Sequence, residues 1–281
     1  MPFADLADVR LQYELEGDGE ETIVLVNGLG DDLETWSLQV PDLLAAGYRV
    51  LRFDNRGVGQ SSKPAGPYTT RMMADDTKHL VDSLGITDFH LVGVSMGGMI
   101  AQEYAINHGS DLRSVIFGCT YAAPGPFCSR MFEMWEQLAP VMGVSFVMRD
   151  VTLWAFTVPF FTDRPDEAAD FDTAMKYVDQ PVPAYLAQLA AIQTHDTRAA
   201  LSGLAVPSLV LAGEEDILIP VSLSRELHDL VPGASWATTI GGHACLWEHP
   251  QEFNKAVIDF VDAKANLASN RVHDHRGSSS F

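Results

Sequence analysis

The chain has few basic residues for its length. Lysine and arginine together number 18 against 38 aspartates and glutamates, which gives a formal net charge of −20 at pH 7 over 281 residues. Nucleic-acid binding depends on clustered basic side chains that contact phosphates, so this balance argues against nucleic acid as a partner. Anionic substrates are also disfavoured unless specific arginines offset the negative field.

Cysteines, long apolar runs and leader-like segments are equally scarce. Cys119, Cys128 and Cys245 are too few, and odd in number, for a disulfide framework, and they favour a reducing compartment. No run of about 18 apolar residues exists, so we expect no membrane span and no membrane partner. The N-terminus carries Asp5 and Asp8 where a signal peptide has basic residues followed by an apolar stretch, so a cytoplasmic location is expected.

Short apolar runs alternate with helical patterns along most of the chain. Strands are predicted at 22–26, 48–54, 89–94, 112–118 and 207–213. Helices are predicted near 37–46, 71–84, 97–108, 221–231 and 251–264. Such alternation is typical of βαβ units around a mostly parallel sheet, and the alternating residues 9–17 predict an antiparallel strand at one edge.

One segment departs from this alternation. Residues 121–201 contain no good strand pattern but many helix formers, methionines and aromatic residues. We therefore predict a helical insertion at 121–201 within an α/β core that comprises 1–120 and 202–265. The tail at 266–281 has no apolar period and is expected to be disordered.

The sequence "GVSMG" at 93–97 places a serine between glycines where a predicted strand meets a predicted helix. This G-x-S-x-G pattern is only moderately specific, because a parallel sheet needs glycine-rich turns in any case. The strand–turn–helix context raises its value, since a nucleophile on so tight a turn needs small neighbours and gains positive potential from the helix N-terminus. Ser95 is therefore the candidate nucleophile.

A serine hydroxyl needs a base, and the base needs an acid that orients it. His243, in "TIGGHACLWEHP", follows a strand-like run and two glycines; the alternative is His249, whose place at the start of the last predicted helix favours capping. In "GEEDILIP", the apolar residues after Asp216 would bury its carboxylate, whereas Glu214 and Glu215 would face solvent. The three candidates follow predicted strands, at the edge of an α/β sheet where ligands bind.

Two further loops accompany these motifs, "VNGLGDDLETW" at 26–36 and "FDNRGVGQS" at 53–61. With the serine, acid and histidine motifs in that chain order, they resemble the α/β-hydrolase superfamily over about residues 10–265. The resemblance implies an α/β-hydrolase fold, with a mostly parallel central sheet, flanking helices and a helical cap. Asn27 is a departure, since many members have histidine there, but an asparagine can still hold the loop.

The resemblance also assigns roles to individual residues. It implies that Ser95 is the nucleophile, that His243 is the general base and that Asp216 is its partner. The backbone N–H groups of Leu29 and Met96 would form the oxyanion hole.

Within the superfamily, the chain most resembles 3-oxoadipate enol-lactonases, small aryl esterases and cofactor-free haloperoxidase-like hydrolases. The predicted insertion then corresponds to the cap of these enzymes, and residues 184–201 are similar to its last helix. The implied activity is hydrolysis of a carboxylic ester or lactone through an acyl-enzyme, without a cofactor. C–C bond hydrolysis of a diketone-like compound and small-molecule reception are alternatives on the same fold; the acidic insertion favours an enzyme over a receptor.

Metal and nucleotide sites are not expected. Cys245 lies two residues after His243, but no second pair of cysteine or histidine residues has metal-ligand spacing. The glycines at 28–30 and 57–59 lack the full dinucleotide-binding pattern. Nothing in the sequence decides between a monomer and a homo-oligomer.

The partner is expected to be a small-molecule substrate that is neutral and apolar. Methionine, phenylalanine and tryptophan are frequent in the predicted insertion and suit an apolar or aromatic group. A carboxylate-bearing substrate would instead need an arginine partner. The candidate arginines in the insertion are Arg130, Arg149, Arg164 and Arg198.

Overall fold

A computed structural model describes residues 2–276, with side chains described as far as residue 264. Its strands, β1 to β8 in chain order, are Phe3–Asp5, Arg10–Glu16, Thr22–Val26, Arg49–Phe53, Phe89–Val94, Leu112–Gly118, Ser208–Gly213 and Ser235–Thr239. They form one sheet in the order β1-β2-β4-β3-β5-β6-β7-β8. The predicted α/β fold with a mostly parallel sheet is therefore confirmed.

The antiparallel part of the sheet is confined to one edge. β2 pairs antiparallel with β4, as predicted for residues 9–17, and β1 extends this edge as a strand that the sequence analysis did not predict. From β4 to β8 every pairing is parallel. All residues of β3, β5 and β7 are buried, because helices cover both faces of a parallel sheet.

Alternate residues of the central strands enter two separate apolar cores. In β3, Val24 and Val26 belong to one core cluster, while Ile23 and Leu25 belong to the other. Successive side chains of a strand point to opposite faces, so the two clusters lie on the two sides of the sheet.

Helices occupy the connections between successive strands from β3 to β8. Those of the described part, α1 to α12, are Val40–Ala45, Thr70–Ser83, Met96–His108, Pro126–Met142, Val144–Ala155, Val158–Asp163, Pro165–Met175, Val182–Gln193, Arg198–Leu201, Val221–Leu230, Cys245–Glu248 and Pro250–Arg276. Local sequence sets their ends: the Thr69 side chain accepts a hydrogen bond from the backbone N–H of Met72 at 3.0 Å and so caps α2. None of the described helices is both long and apolar enough to cross a membrane.

Helices α4 to α9 (Pro126–Leu201) all lie between β6 and β7, and we refer to them as the α4–α9 segment. They occupy the position predicted for a helical insertion at 121–201. The division of the chain into a core and a separate insertion stays a prediction.

The C-terminal helix is longer than expected. The sequence predicts a disordered tail from residue 266, whereas α12 continues as a helix to Arg276. Between Pro250 and Gly277 the chain has no glycine or proline, so no residue in this stretch forces the helix to end. The rest of the predicted tail, 277–281, lies outside the described residues.

Candidate active site

Ser95 lies on the turn that joins β5 to α3. Its φ of 59° and ψ of −122° lie in a region that residues with a side chain rarely adopt. A Cβ atom at Gly93 would stand 2.1 Å from the carbonyl oxygen of Gly97, and one at Gly97 would stand 2.0 Å from that of Val26. Both glycines are therefore required for a turn this tight, and the strained residue between them is the serine.

His243 and Asp216 come together from the loops that follow β8 and β7. The Nδ1 atom of His243 and the Oδ2 atom of Asp216 are 2.7 Å apart. The backbone N–H of Ile219 donates to the Oδ1 atom of Asp216 at 2.8 Å. Both side chains are buried, so the apolar run after Asp216 covers its carboxylate and also supplies a donor that fixes it.

The surroundings of His243 favour a protonated ring. Burial opposes the charged imidazole, but the charge and hydrogen bond of Asp216 outweigh it. Together with the charge of Asp31 they raise the pKa of His243 to about 9. An imidazolium is the species that a general base becomes when it accepts a proton. The site therefore stabilises that species.

Ser95 and His243 line the same cavity, which we call the Ser95 cavity. Helices α4, α5 and α7 cover one side of it with apolar residues, including Phe132, Met148 and Phe171. Most of the lining is apolar, and the described lining residues include a single carboxylate, that of Asp31.

The two predicted oxyanion donors flank this cavity. Leu29 lines it, and Met96 directly follows Ser95 at the first position of α3. Within the described part, no turn, loop or cap hydrogen bond uses the backbone N–H of either residue. Asn27 holds the loop that carries Leu29, because its Nδ2 atom donates to the carbonyl oxygen of Phe53 at 2.9 Å and its Oδ1 atom accepts from Trp36 at 2.6 Å.

Buried glutamines from the α4–α9 segment support the same loop, and sequence reasoning missed them. The Oε1 atom of Gln188 accepts from the backbone N–H of Gly30 at 3.2 Å, and its Nε2 atom donates to the carbonyl oxygen of Arg56 at 2.8 Å. Gln180 donates to the carbonyl oxygen of Gly57 at 2.9 Å. The one available signal was a glutamine within the apolar run "VPAYLAQLAAIQ" of α8.

The alternative base and acids lie away from this cavity. His249 is not among its lining residues, and its backbone carbonyl accepts from Phe253 at the start of α12. Glu214 and Glu215 are exposed, and the carboxylate of Glu214 accepts from the hydroxyl of Thr238 at 2.8 Å.

Cys119 lies close to the histidine–aspartate pair. Ligand atoms of Cys119, Asp216 and His243 all lie within 4.8 Å of one another. However, the sulfur atoms of Cys119 and Cys245 are 3.6 Å apart, and this contact together with burial raises the pKa of the Cys119 thiol well above its usual range. Because metals bind the thiolate, a thiol held in its protonated form is a poor ligand.

The four candidate arginines pair with acidic residues. The pairs are Arg130–Glu133, Arg149–Asp172, Arg164–Glu167 and Arg198–Asp196. None of these arginines lines the Ser95 cavity. In the described part of the chain, the cavity thus lacks the arginine that a carboxylate-bearing substrate would need.

Known proteins share this architecture. The chain is similar to RutD, a putative carbamate hydrolase of Azorhizobium caulinodans, with 28% identity over 261 residues that cover 92% of this chain and 98% of RutD. The enol-lactonase of Burkholderia xenovorans LB400 superposes with a TM-score of 0.85 at 30% identity, covering 93% of this chain and all of the lactonase. A putative non-heme bromoperoxidase of Mycobacterium tuberculosis gives 0.82 at 29% identity, covering 90% of this chain and 96% of the peroxidase.

The model of the alpha/beta hydrolase fold family matches residues 21–250. This region contains β3 to β8 and every candidate site residue. Since the match spans most of the chain, and the relatives include hydrolases over nearly their whole length, this protein is a hydrolase and belongs to the α/β-hydrolase family.

Proposed function

We propose that the protein hydrolyses a carboxylic ester or lactone through an acyl-enzyme on Ser95. One observation carries the proposal: a serine on a strained turn and a histidine bonded to a buried aspartate line one apolar cavity. In the first step the Oγ atom of Ser95 attacks the substrate carbonyl while Nε2 of His243 takes the hydroxyl proton. Asp216 keeps Nδ1 of His243 protonated and stabilises the imidazolium that forms.

The charge of the tetrahedral intermediate develops on the former carbonyl oxygen. We assign the backbone N–H groups of Leu29 and Met96 as its donors. Leu29 lines the cavity, Met96 directly follows Ser95, and no turn, loop or cap hydrogen bond of the described residues uses either N–H group. The N-terminus of α3, which begins directly after Ser95, adds positive potential at the same place.

The first tetrahedral intermediate collapses to the acyl-enzyme as His243 gives its proton to the leaving alkoxide. Water then attacks the acyl carbonyl, and His243 takes a proton from that water. Collapse of the second tetrahedral intermediate releases the acid and restores the Ser95 hydroxyl. With a lactone, the alcohol and the acid leave as one molecule.

The cavity suits a substrate whose acyl part is apolar. Aromatic and methionine side chains form its walls, and the nearby arginines are paired with acidic residues outside it. A carbamate is the second candidate, because it offers the same kind of carbonyl to Ser95 and the chain is similar to a putative carbamate hydrolase over most of its length.

The experiment compares the wild type with Ser95→Ala on p-nitrophenyl butyrate, a γ-lactone and an N-alkyl carbamate. Ser95→Ala should fall to the residual rate that binding and the oxyanion hole supply, roughly 10³–10⁴ above water and far below the wild type. A fluorophosphonate probe should label Ser95 in the wild type, as located by peptide mass spectrometry. The matched control is Ser37→Ala, at an exposed serine.

Two outcomes would contradict the proposal. Ester turnover above a few per cent in Ser95→Ala would remove Ser95 as the nucleophile. Turnover of a 1,3-diketone by a wild-type protein that leaves all three carbonyl substrates intact would favour C–C bond hydrolysis instead.

A further inference from the structure

Asp31 places a carboxylate inside the Ser95 cavity. It lies two residues after Leu29 and lines the cavity together with Ser95 and His243. A Cβ atom at Gly28 would stand 2.7 Å from Oδ2 of Asp31 and 3.5 Å from Cβ of Ser95. The carboxylate and the proposed nucleophile therefore lie on either side of one glycine.

The Asp31 carboxylate lacks a hydrogen-bond donor in the described part of the chain. Among the described residues, no backbone or side-chain group gives it a hydrogen bond, and its electrostatic neighbours are Asp32 and His243. Burial and the charge of Asp32 raise the pKa of Asp31 to about 7, against an opposing contribution from His243. Asp31 is partly exposed, and a cation bound beside it would pair with a carboxylate that accepts no hydrogen bond from the described residues.

Aromatic rings line the same cavity as this carboxylate. Phe171 and Trp247 line the Ser95 cavity with Asp31, and their ring centroids are 5.0 Å apart. The ring of Phe156 lies nearly parallel to that of Trp247, at 6.1 Å and 15°. Aromatic faces attract cations, and aromatic cages are the usual binding sites of quaternary ammonium groups.

A second, outer cavity adjoins the first and is acidic. Asp31, Phe171 and Trp247 line both cavities. The other carboxylates of the outer cavity are those of Asp32, Glu34 and Asp179, and its described lining includes no lysine or arginine. Glu34 pairs with Arg52 at 3.6 Å, whereas Asp31, Asp32 and Asp179 leave the outer cavity with an excess of negative charge. Such a cleft raises the local concentration of cations next to the Ser95 cavity.

We propose that the substrate carries a positively charged nitrogen, held by Asp31 and by the faces of Phe171 and Trp247 while its carbonyl meets Ser95. This inference rests on the proposed ester hydrolysis. It replaces the neutral substrate expected from the sequence by a cationic one whose remaining part is apolar. The same arrangement serves a quaternary ammonium and a protonated tertiary amine.

An isosteric pair of esters tests the charge alone. Butyrylcholine and 3,3-dimethylbutyl butyrate differ in having nitrogen or carbon at one centre, and 2-(dimethylamino)ethyl butyrate adds a protonated tertiary amine. Release of butyrate is followed by titration at constant pH. The wild type should favour butyrylcholine over its neutral isostere by about tenfold or more in kcat/KM, the discrimination expected of a desolvated cation beside aromatic faces.

Asp31→Asn keeps the shape of the side chain and removes its charge. In this variant the ratio of kcat/KM for the cationic ester to that for the neutral ester should fall to about one, since the asparagine carries no charge to attract the cation. Asp18→Asn is the control, because it removes one negative charge from an exposed residue that lines neither cavity. This control should keep the wild-type preference to within about twofold.

Failure of this inference differs from failure of the proposed function. Equal kcat/KM for the two isosteres in the wild type, a preference that survives in Asp31→Asn, or equal losses in both variants would overturn the role of Asp31. A wild type that hydrolyses neither ester would contradict the esterase proposal itself.

A second test needs no mutation and applies even if the Asp31→Asn variant does not fold. Tetramethylammonium should inhibit hydrolysis of the neutral ester competitively in the wild type, and an equal concentration of sodium should not. Absence of that inhibition would also overturn the proposal.

Discussion

The carboxylate of Glu248 accepts two hydrogen bonds from Thr157, one from its backbone N–H at 2.9 Å and one from its hydroxyl at 2.7 Å. It also accepts from the backbone N–H of Gly242 at 3.3 Å. Next to it, the backbone N–H of Ala244 donates to the carbonyl oxygen of Ala155 at 2.8 Å. One buried acid thus ties the α4–α9 segment to the loop that carries His243.

Glu248→Ala should therefore affect both stability and activity. Its removal leaves the buried groups of Thr157 without an acceptor, at a cost of about 2–4 kcal/mol in the free energy of unfolding. It also frees the histidine loop, so kcat/KM should fall. Urea unfolding and ester assays measure the two effects, with Glu252→Ala at an exposed position of α12 as control. Equal stability of the two variants would refute this role.

Activity should be highest at alkaline pH. The groups around His243 raise its pKa to about 9, so the ring of the free enzyme is protonated below that pH and cannot accept the serine proton. We expect kcat/KM to rise with pH up to about 9 and then level off. In Asp31→Asn one of the charges that raise this pKa is lost, so the rise of kcat/KM with pH should occur at lower pH. A flat profile between about pH 6 and 9 would contradict the assignment of His243 as base.

The acid loop offers a comparison of three carboxylates. Asp216→Asn should lower kcat by roughly 10⁴, because the amide cannot hold the productive tautomer of His243. Glu214→Gln and Glu215→Gln should change it little, since both glutamates are exposed. The measurement is steady-state ester hydrolysis by the three variants under one condition. Similar losses in all three would remove the case for Asp216.

A buried histidine outside the site should make stability sensitive to acid. Burial lowers the pKa of His195 to about 4, against the charge of Asp196, and the ring meets the hydroxyl of Thr70 at 2.9 Å. The unfolded chain binds a proton near pH 6.5 while the folded chain does not. Stability from this residue is therefore complete above about pH 6.5 and is lost as the pH falls toward 4, by up to about 3 kcal/mol.

Urea unfolding at pH 7 and at pH 4.5 tests this prediction in the wild type and in His195→Gln. The variant lacks the titrating ring, so its stability should decline less on acidification. Acidic groups whose pKa values are raised, such as those of Asp31 and Asp54, titrate in both proteins and cancel in the comparison. Identical declines would refute the role of His195.

The sequence predicted those features that depend on neighbours in the chain. Gly93 in the elbow at Ser95 is such a case, because a Cβ atom there would meet the carbonyl oxygen of Gly97 within the same turn. The fully buried strands β3, β5 and β7 are visible in the sequence as short apolar runs. β1 has only three residues, too few for any period to show.

The environment of Asp31 could not be predicted in the same way. Asp31 and Asp32 are adjacent and chemically identical, yet one lines the Ser95 cavity and the other caps the turn that begins at Leu33. The difference arises from the path of the loop after Gly30 and from the helices that close over it. Neither is encoded in a short window, and the buried acceptors of Glu248 and Gln188 depend on contacts across more than 90 residues in the same way.

The hydrogen bonds of Gln188 have a consequence for how molecules reach and leave the serine. They join α8 to Gly30 and Arg56, and Glu248 joins Thr157, which precedes α6, to the histidine loop at a second place. Swinging the segment away as a hinged lid would break buried hydrogen bonds at both places at once. We therefore expect substrates to enter and products to leave through an opening of fixed size. The width of a substrate, rather than its length, should then set the upper limit on which compounds are hydrolysed.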